Sequence, residues 1–252
     1  MITQYTRPET LNQALELLAD PNAIPLAGGT LVNSPDFLRK HPSANITAVD
    51  LQGLGLNQIR KRGNTLEIDA CVTLQRLLEN QHTPNGLKRA LKQEAPLNIR
   101  NTATVAGTLV ACDGRSSFAT AMLALDARLT IQPGEQEVGF GNFLPLRGSL
   151  LPQKLITGIT IPLNLHHAFE YVARTPADRP IVCASVAKWA SGRTRLTLGG
   201  YGPAPLLALD GTSSDDVGAS ARNAFHEAAD EWASARYRCE VAATLAKRCL
   251  EE

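Results

Sequence analysis

Past Asn164 the chain changes texture, and that change constrains its architecture more than any other feature. Three strand-like runs follow one another: AFEYVAR (168–174), IVCASVAKWA (181–190) and TRLTLGGYG (194–202). The turn Ser-Gly-Arg joins the last two, and two helical patterns close the chain at about 219–229 and 234–250. Strands in succession followed by helices predict an α+β unit, a three-stranded antiparallel sheet with helices packed on it. The boundary with what precedes falls near Asn164–His167.

Upstream of that boundary, strand and helix patterns are interleaved. RPETLNQALELLAD puts Leu11, Ala14, Leu15 and Leu18 on one helical face, with Pro8 and Glu9 suited to a first turn. AIPLA and NITAVDL read as short buried strands, and LNQIRKRGNTLEIDACVT as a hairpin turning at Gly63-Asn64. Thr73 is placed to cap the helix LQRLLEN, and a second helix over 84–94 stops before Pro96. The helix FATAMLALDA leads into the strand RLTIQ and the turn PGEQ, and KLITGITIP is a strand ending at Pro162. No internal repeat or low-complexity tract interrupts the pattern.

Bulk composition narrows the function classes. A chain of 252 residues with 44% hydrophobic and 19% charged side chains can bury a core of one large or two moderate domains. A net charge of +1 lacks the basic excess of a nucleic-acid binder and gives no attraction to an anionic membrane. The five cysteines, Cys71, Cys112, Cys183, Cys239 and Cys249, are scattered without a C-x-x-C pair. That spacing argues against a metal or iron–sulfur site and against a disulfide framework, and so for a reducing compartment. The N-terminus lacks the basic-then-apolar pattern of a signal peptide, and the expected location is the cytoplasm.

Two glycine- and threonine-rich stretches carry the candidate chemistry. PLAGGTLV (25–32) ends a strand in Gly28-Gly29-Thr30. A plain strand-to-helix turn accounts for it, and so does a cradle in which bare backbone N–H groups meet a phosphate. It has neither the G-x-G-x-x-G spacing nor a P-loop lysine. NIRNTATVAGTLV (98–110) offers the hydroxyls of Thr102, Thr104 and Thr108, close approach at Gly107, and Arg100 for a phosphate or a carboxylate. It reads equally as a surface loop with capping threonines. The two stretches together could converge on one long anionic ligand.

IPLAGGTLV, IRNTATVAGTLV, MLALDARL, LITGITIP and LTLGGYGPAP occur in an order that resembles the FAD-binding, medium subunit of molybdenum hydroxylases. That family includes the flavin subunits of xanthine dehydrogenase and aerobic carbon monoxide dehydrogenase. The closing DEWASARYRCEVAATLAKRCLEE is also similar, so the resemblance spans nearly the whole chain. It implies a two-lobed FAD-binding domain over 1–164, with lobes of about 1–53 and 54–164, and a smaller C-terminal α+β domain over 165–252. Ala27, Gly28, Gly29, Thr30, Leu31 and Val32 would wrap the FAD diphosphate. Thr104, Ala106, Gly107 and Thr108 would approach it from the other lobe, with Leu155 and Ile156 near the flavin or adenine. The resemblance also implies partner subunits carrying iron–sulfur clusters and molybdopterin, with NAD or another acceptor taking the electrons. No residue is assigned a catalytic or metal-binding role.

The chain departs from the family pattern in places. Ala106 stands where the second loop usually has glycine, Ser117 where a cofactor-contacting Asp is usual, Tyr171 where some members have lysine, and Asp69 where glycine precedes Ala70. These changes leave an alternative open: a non-catalytic assembly or interaction subunit with a degenerate FAD site. His166-His167 has no third metal ligand nearby, Asp178-Arg179 reads as an ion pair, Arg60-Lys61-Arg62 as a solvated hairpin tip, and Trp189 and Trp232 as packing residues.

Overall fold

The computed structural model describes residues 2–32, 34, 37, 39, 45–212 and 216–251. Three sheets organise them. The first is parallel, in the order β1 (Ile2–Thr6), β3 (Ile46–Asp50), β2 (Ala23–Leu26). Helix α1 (Leu11–Leu17) crosses between β1 and β2. Thr10 and Gln13 cap it reciprocally: the Thr10 hydroxyl accepts from Gln13 N–H at 3.3 Å and Gln13 Oε1 from Thr10 N–H at 3.2 Å. The apolar face read from the sequence is the one that packs. Ala14 and Leu18 are buried against Val49 and Leu51, with Leu11 and Leu15 alongside.

The second sheet is antiparallel, in the order β4 (Ile59–Arg62), β5 (Thr65–Asp69), β8 (Leu155–Pro162), β6 (Arg128–Gln132), β7 (Gln136–Gly139). Between these strands run α2 (Leu74–Glu79), α3 (Asn85–Glu94), the single turn α4 (Leu97–Arg100), α5 (Val105–Ala111), α6 (Ser117–Ala124) and α7 (Phe140–Leu150). The stretch 98–110, expected as a loop, thus contains one helical turn and a short helix. Helix α7 escapes the sequence reading because Gly141, Pro145 and Gly148 all disfavour a helix. Burial of Phe140, Phe143 and Leu144 overrides that preference.

The third sheet corrects the expected strand count. It has four strands, in the order β12 (Leu206–Gly211), β11 (Thr194–Gly199), β10 (Val182–Trp189), β9 (Leu165–Val172), all antiparallel. The missed strand, β12, lies at the edge and buries no residue fully, so its sequence carries no alternation. It is a strand because β11 offers it a hydrogen-bonding edge. Helix α8 (Val217–Ala224) ends five residues before the expected 229, where the chain turns at the buried Phe225, and α9 (Ala235–Glu251) follows.

This sheet is covered on both faces. Helices α8 and α9 pack on one side, and α3 and α6 on the other. Every residue of α6 is buried. That explains why β10 and β11 read as continuous runs of small and apolar residues, since neither face meets water. One apolar cluster runs from Leu66 and Ile131 of the second sheet through Phe118 and Met122 of α6 to Phe169 and Cys183 of the third. Arg238 of α9, fully buried, ties the third unit's loops together. It pairs with Asp230 at 2.8 Å and donates to the carbonyls of Ile181, Ala228, Ala233 and Gly200.

Candidate ligand cleft

Between the first sheet and the helices and strands of the second, a cleft of about 850 Å³ opens, with Arg179 of the loop before β10 at one end. This falls in the size range of small-molecule and cofactor sites. One wall is β2 and the loop that follows it, residues 27–32. The opposite wall is the start of α5, contributing Thr104, Ala106, Gly107 and Thr108, and the start of β8, contributing Leu155 and Ile156. Of the residues the family resemblance assigns to FAD, all line this one cleft except Ser117; Thr102 and Arg100 do not line it. The Ser117 side chain is fully buried and does not line the cleft, and its hydroxyl has no hydrogen-bond partner among the described residues. Its neighbour Ser116 lines the cleft instead.

The two loops touch each other before they touch anything else. A Cβ on Gly28 would sit 1.9 Å from the Thr102 carbonyl oxygen, so glycine there permits loop-to-loop contact. Gly29 has φ +67°, in the left-handed region that side chains disfavour. Among the described residues, nothing accepts a hydrogen bond from the N–H groups of Gly28, Gly29, Thr30 or Leu31. A row of unengaged donors on a glycine turn is the arrangement that takes up phosphate oxygens.

The second loop is different, and the expectation of free donors there is corrected. Val105 N–H donates to Val72 O at 2.8 Å and Ala106 N–H to Ala70 O at 3.2 Å. Gly107 N–H donates to the Thr104 hydroxyl at 3.3 Å, and Thr108 N–H to Thr104 O at 2.9 Å. The Thr108 hydroxyl donates to Thr104 O at 2.8 Å and that of Thr102 to Ile99 O at 3.1 Å. Of the three hydroxyls, only that of Thr104 has no acceptor among the described residues. Ala106 sits in the first turn of α5 with an ordinary backbone. Arg100 is committed as well, clamping Ala95 O at 2.6 Å and Gln75 Oε1 at 2.9 Å.

The remaining end of the cleft is polar and was not legible in the sequence. Glu94 at the end of α3, Asp113, Ser116 and Arg179 line it, and Lys154 lies on the approach to β8. The partner of Arg179 is Asp113, with Nη1 2.9 Å from Oδ2, rather than the adjacent Asp178. Desolvation works to raise the Asp113 pKa, but hydrogen bonds and charge from Arg179 and Arg115 outweigh it, and the carboxyl is held below its ordinary value. Glu94 accepts from the Phe118 N–H at 2.8 Å and the Ser116 hydroxyl at 3.0 Å. Desolvation raises its pKa despite those bonds. Two thiols also line the cleft, and burial pushes both Cys71 and Cys112 up to about 11, so they stay protonated at neutral pH.

The other sequence candidates lie elsewhere. His167 is buried with Nε2 2.8 Å from the Ser185 hydroxyl. No group of three or more His, Cys, Asp or Glu side chains among the described residues is placed to share a metal ion. Tyr171 stacks on Phe169 at 6.1 Å between centroids. Asp69 pairs with Arg60 at 3.1 Å. Trp232 lies between the guanidinium groups of Arg115 and Arg174, 4.7 and 4.4 Å from its ring centre. No helix among the described residues is long and apolar enough to cross a membrane.

Comparison with known proteins bears on the family and the fold. Residues 1–164 match the family described as FAD binding domain in molybdopterin dehydrogenase. The alpha subunit of the 6-hydroxypseudooxynicotine dehydrogenase complex of Paenarthrobacter nicotinovorans is 30% identical over 98% of this chain and 92% of its own. Among solved structures, carbon monoxide dehydrogenase from Hydrogenophaga pseudoflava superposes with a TM-score of 0.82 at 20% identity, covering 100% of this chain and 96% of that one. Quinoline 2-oxidoreductase from Pseudomonas putida 86 gives 0.81 at 22% identity, covering 98% and 95%.

Proposed function

The chain belongs to the family of FAD binding domains in molybdopterin dehydrogenases, and we propose that it is the electron-transfer flavin subunit of a multi-subunit molybdenum hydroxylase. FAD is the cofactor of this oxidoreductase family. The residues of the cleft fit it: the unengaged N–H groups of Gly28–Leu31 suit a diphosphate, and the volume suits a dinucleotide. FAD, when bound, supplies the ability to accept an electron pair and release it to an acceptor.

The chain's own part is to hold and orient. Loop 27–32 takes the diphosphate on its backbone, and Lys154 adds positive charge to the wall. Leu155, Ile156 and the apolar face of β2 exclude water from the ring system. In this reading residues 1–164 form the FAD-binding domain, with lobes of about 1–53 and 54–164, and 165–252 the C-terminal domain. The observation that carries the reading is the row of N–H donors on loop 27–32, a loop lining the cleft, with no acceptor among the described residues.

Electrons would arrive from a partner's iron–sulfur clusters, after substrate oxidation on a molybdopterin-binding partner, and leave to NAD or another acceptor. The name of the Paenarthrobacter relative, a subunit of a dehydrogenase complex, supports the multi-subunit part. Co-expression with neighbouring reading frames and affinity purification tests it. The expected product is a complex whose flavin is bleached by a substrate of the partner. A chain that purifies alone from that co-expression, with flavin no substrate of the complex can reduce, would count against it.

A further inference from the structure

The charges lining the cleft are out of balance for the ligand it suits. Three carboxylates, Asp20, Glu94 and Asp113, face two cations, Lys154 and Arg179. Subtracting, the described residues of the lining carry one excess negative charge when all five are ionised. A diphosphate entering such a cleft meets repulsion unless one carboxylate is neutralised.

Glu94 is the one whose surroundings permit that. Asp113 is fixed as an anion by Arg179 and Arg115, and Asp20 is exposed to water. Glu94 Oε2 is engaged by two donors, the Phe118 N–H at 2.8 Å and the Ser116 hydroxyl at 3.0 Å. Oε1 shares only the same Ser116 proton, at 3.1 Å, which leaves it room for a proton of its own. We propose that Glu94 takes up a proton from solvent on Oε1 when the anionic cofactor enters, and so couples FAD binding to pH. This rests on the FAD reading of the cleft. The neutral carboxyl removes the excess charge and can donate from Oε1 to an acceptor on the ligand.

The other groups around Glu94 do not titrate in the same range. Asp113 and Arg179 stay paired, while burial lifts the thiol of Cys112 to about 11 and that of Cys183 to about 12. Glu94 itself starts from a raised value, because desolvation already disfavours its charge. By linkage, a ligand that prefers the protonated form binds more weakly as pH rises, by at most tenfold per unit for one proton.

The test is a titration of apoprotein with FAD across the pH range, in the wild type and in Glu94→Gln. Glutamine copies the neutral carboxyl and can still accept from the Phe118 N–H. The wild-type dissociation constant is expected to rise about tenfold between about pH 5 and about pH 8. Glu94→Gln should be flat, and near pH 8 should bind within about twofold of the wild type at pH 5. If Glu94→Gln does not fold, calorimetry of the wild type in two buffers of different ionisation enthalpy counts the protons, and uptake is expected. A flat or inverted wild-type profile, a variant as steep as the wild type, or no proton uptake overturns the proposal while leaving FAD binding intact. No FAD binding by the wild type at any pH removes the FAD reading as well.

Discussion

Two adjacent glycines that look alike in the sequence do different work. Gly28 is small because the Thr102 carbonyl occupies the space its side chain would need, at 1.9 Å. Gly29 is glycine because the turn runs through φ +67°. Gly28→Ala should therefore lower the melting temperature by forcing the two loops apart, and lose FAD as a consequence. Gly29→Ala costs about 1 kcal/mol of backbone strain in a surface loop, which is about fivefold in FAD affinity if the loop yields to bind. Thermal unfolding and FAD titration of the two variants check this. A Gly28→Ala protein as stable as the wild type would show that the loops can separate without cost. The doublet was legible as a site, but the division of labour was not, because the Thr102 contact is 74 residues away in the chain.

Helix α6 shows how an element can overrule an expectation drawn from a family pattern. Position 117 was expected to contact the cofactor, yet it falls on the first turn of a helix with every residue buried, and its side chain does not line the cleft. Ser116, one residue earlier, caps the helix through the Ala119 N–H at 3.1 Å and meets Glu94. Ser117→Asp would place a carboxylate at a fully buried position whose hydroxyl has no partner among the described residues, at a cost of several kcal/mol. Ala106→Gly frees no donor, because the Ala106 N–H already serves Ala70. Denaturant unfolding should find the Ser117→Asp, Ala106→Gly double variant less stable than the wild type, and FAD titration should find it no tighter. Tighter binding would place residue 117 in the site after all. Elements that carry their own signal, α1, α3 and β8 by periodicity and α6 and β10 as apolar runs, were readable in the chain. Strand β12 and helix α7 were not, because their structure comes from neighbours: the β11 edge for one, and burial of Phe140 and Phe143 for the other. Glu94 was equally silent, a helical glutamate like any other until α6 packs against it.

For the whole molecule, the third sheet is sealed between two pairs of helices, and His167 is sealed with it. Burial pushes its imidazole from an ordinary 6.5 down to about 3. Between those values the unfolded chain binds a proton that the folded chain does not, so stability falls as pH drops below about 6.5. At about pH 5 the loss from this group is about 2 kcal/mol. Glu94, with its raised value, acts in the opposite direction, so the comparison of wild type with His167→Asn isolates the imidazole. Denaturant unfolding at about pH 7 and about pH 5 should show a smaller loss in the variant. Equal losses would mean that His167 can be protonated within the fold. The polar end of the cleft depends on this sealed framework, since Asp113, just before α6, pairs there with Arg179, just before β10, and those two elements pack together. The central claim, that this cleft holds FAD on the backbone of residues 28–31, is tested most directly by titrating purified apoprotein with FAD and following flavin absorbance and fluorescence. The prediction is saturation at one FAD per chain, weakened by Gly29→Ala and unaffected by substitutions outside the cleft. Failure of the folded wild-type chain to bind FAD, or binding indifferent to loop 27–32, would contradict it.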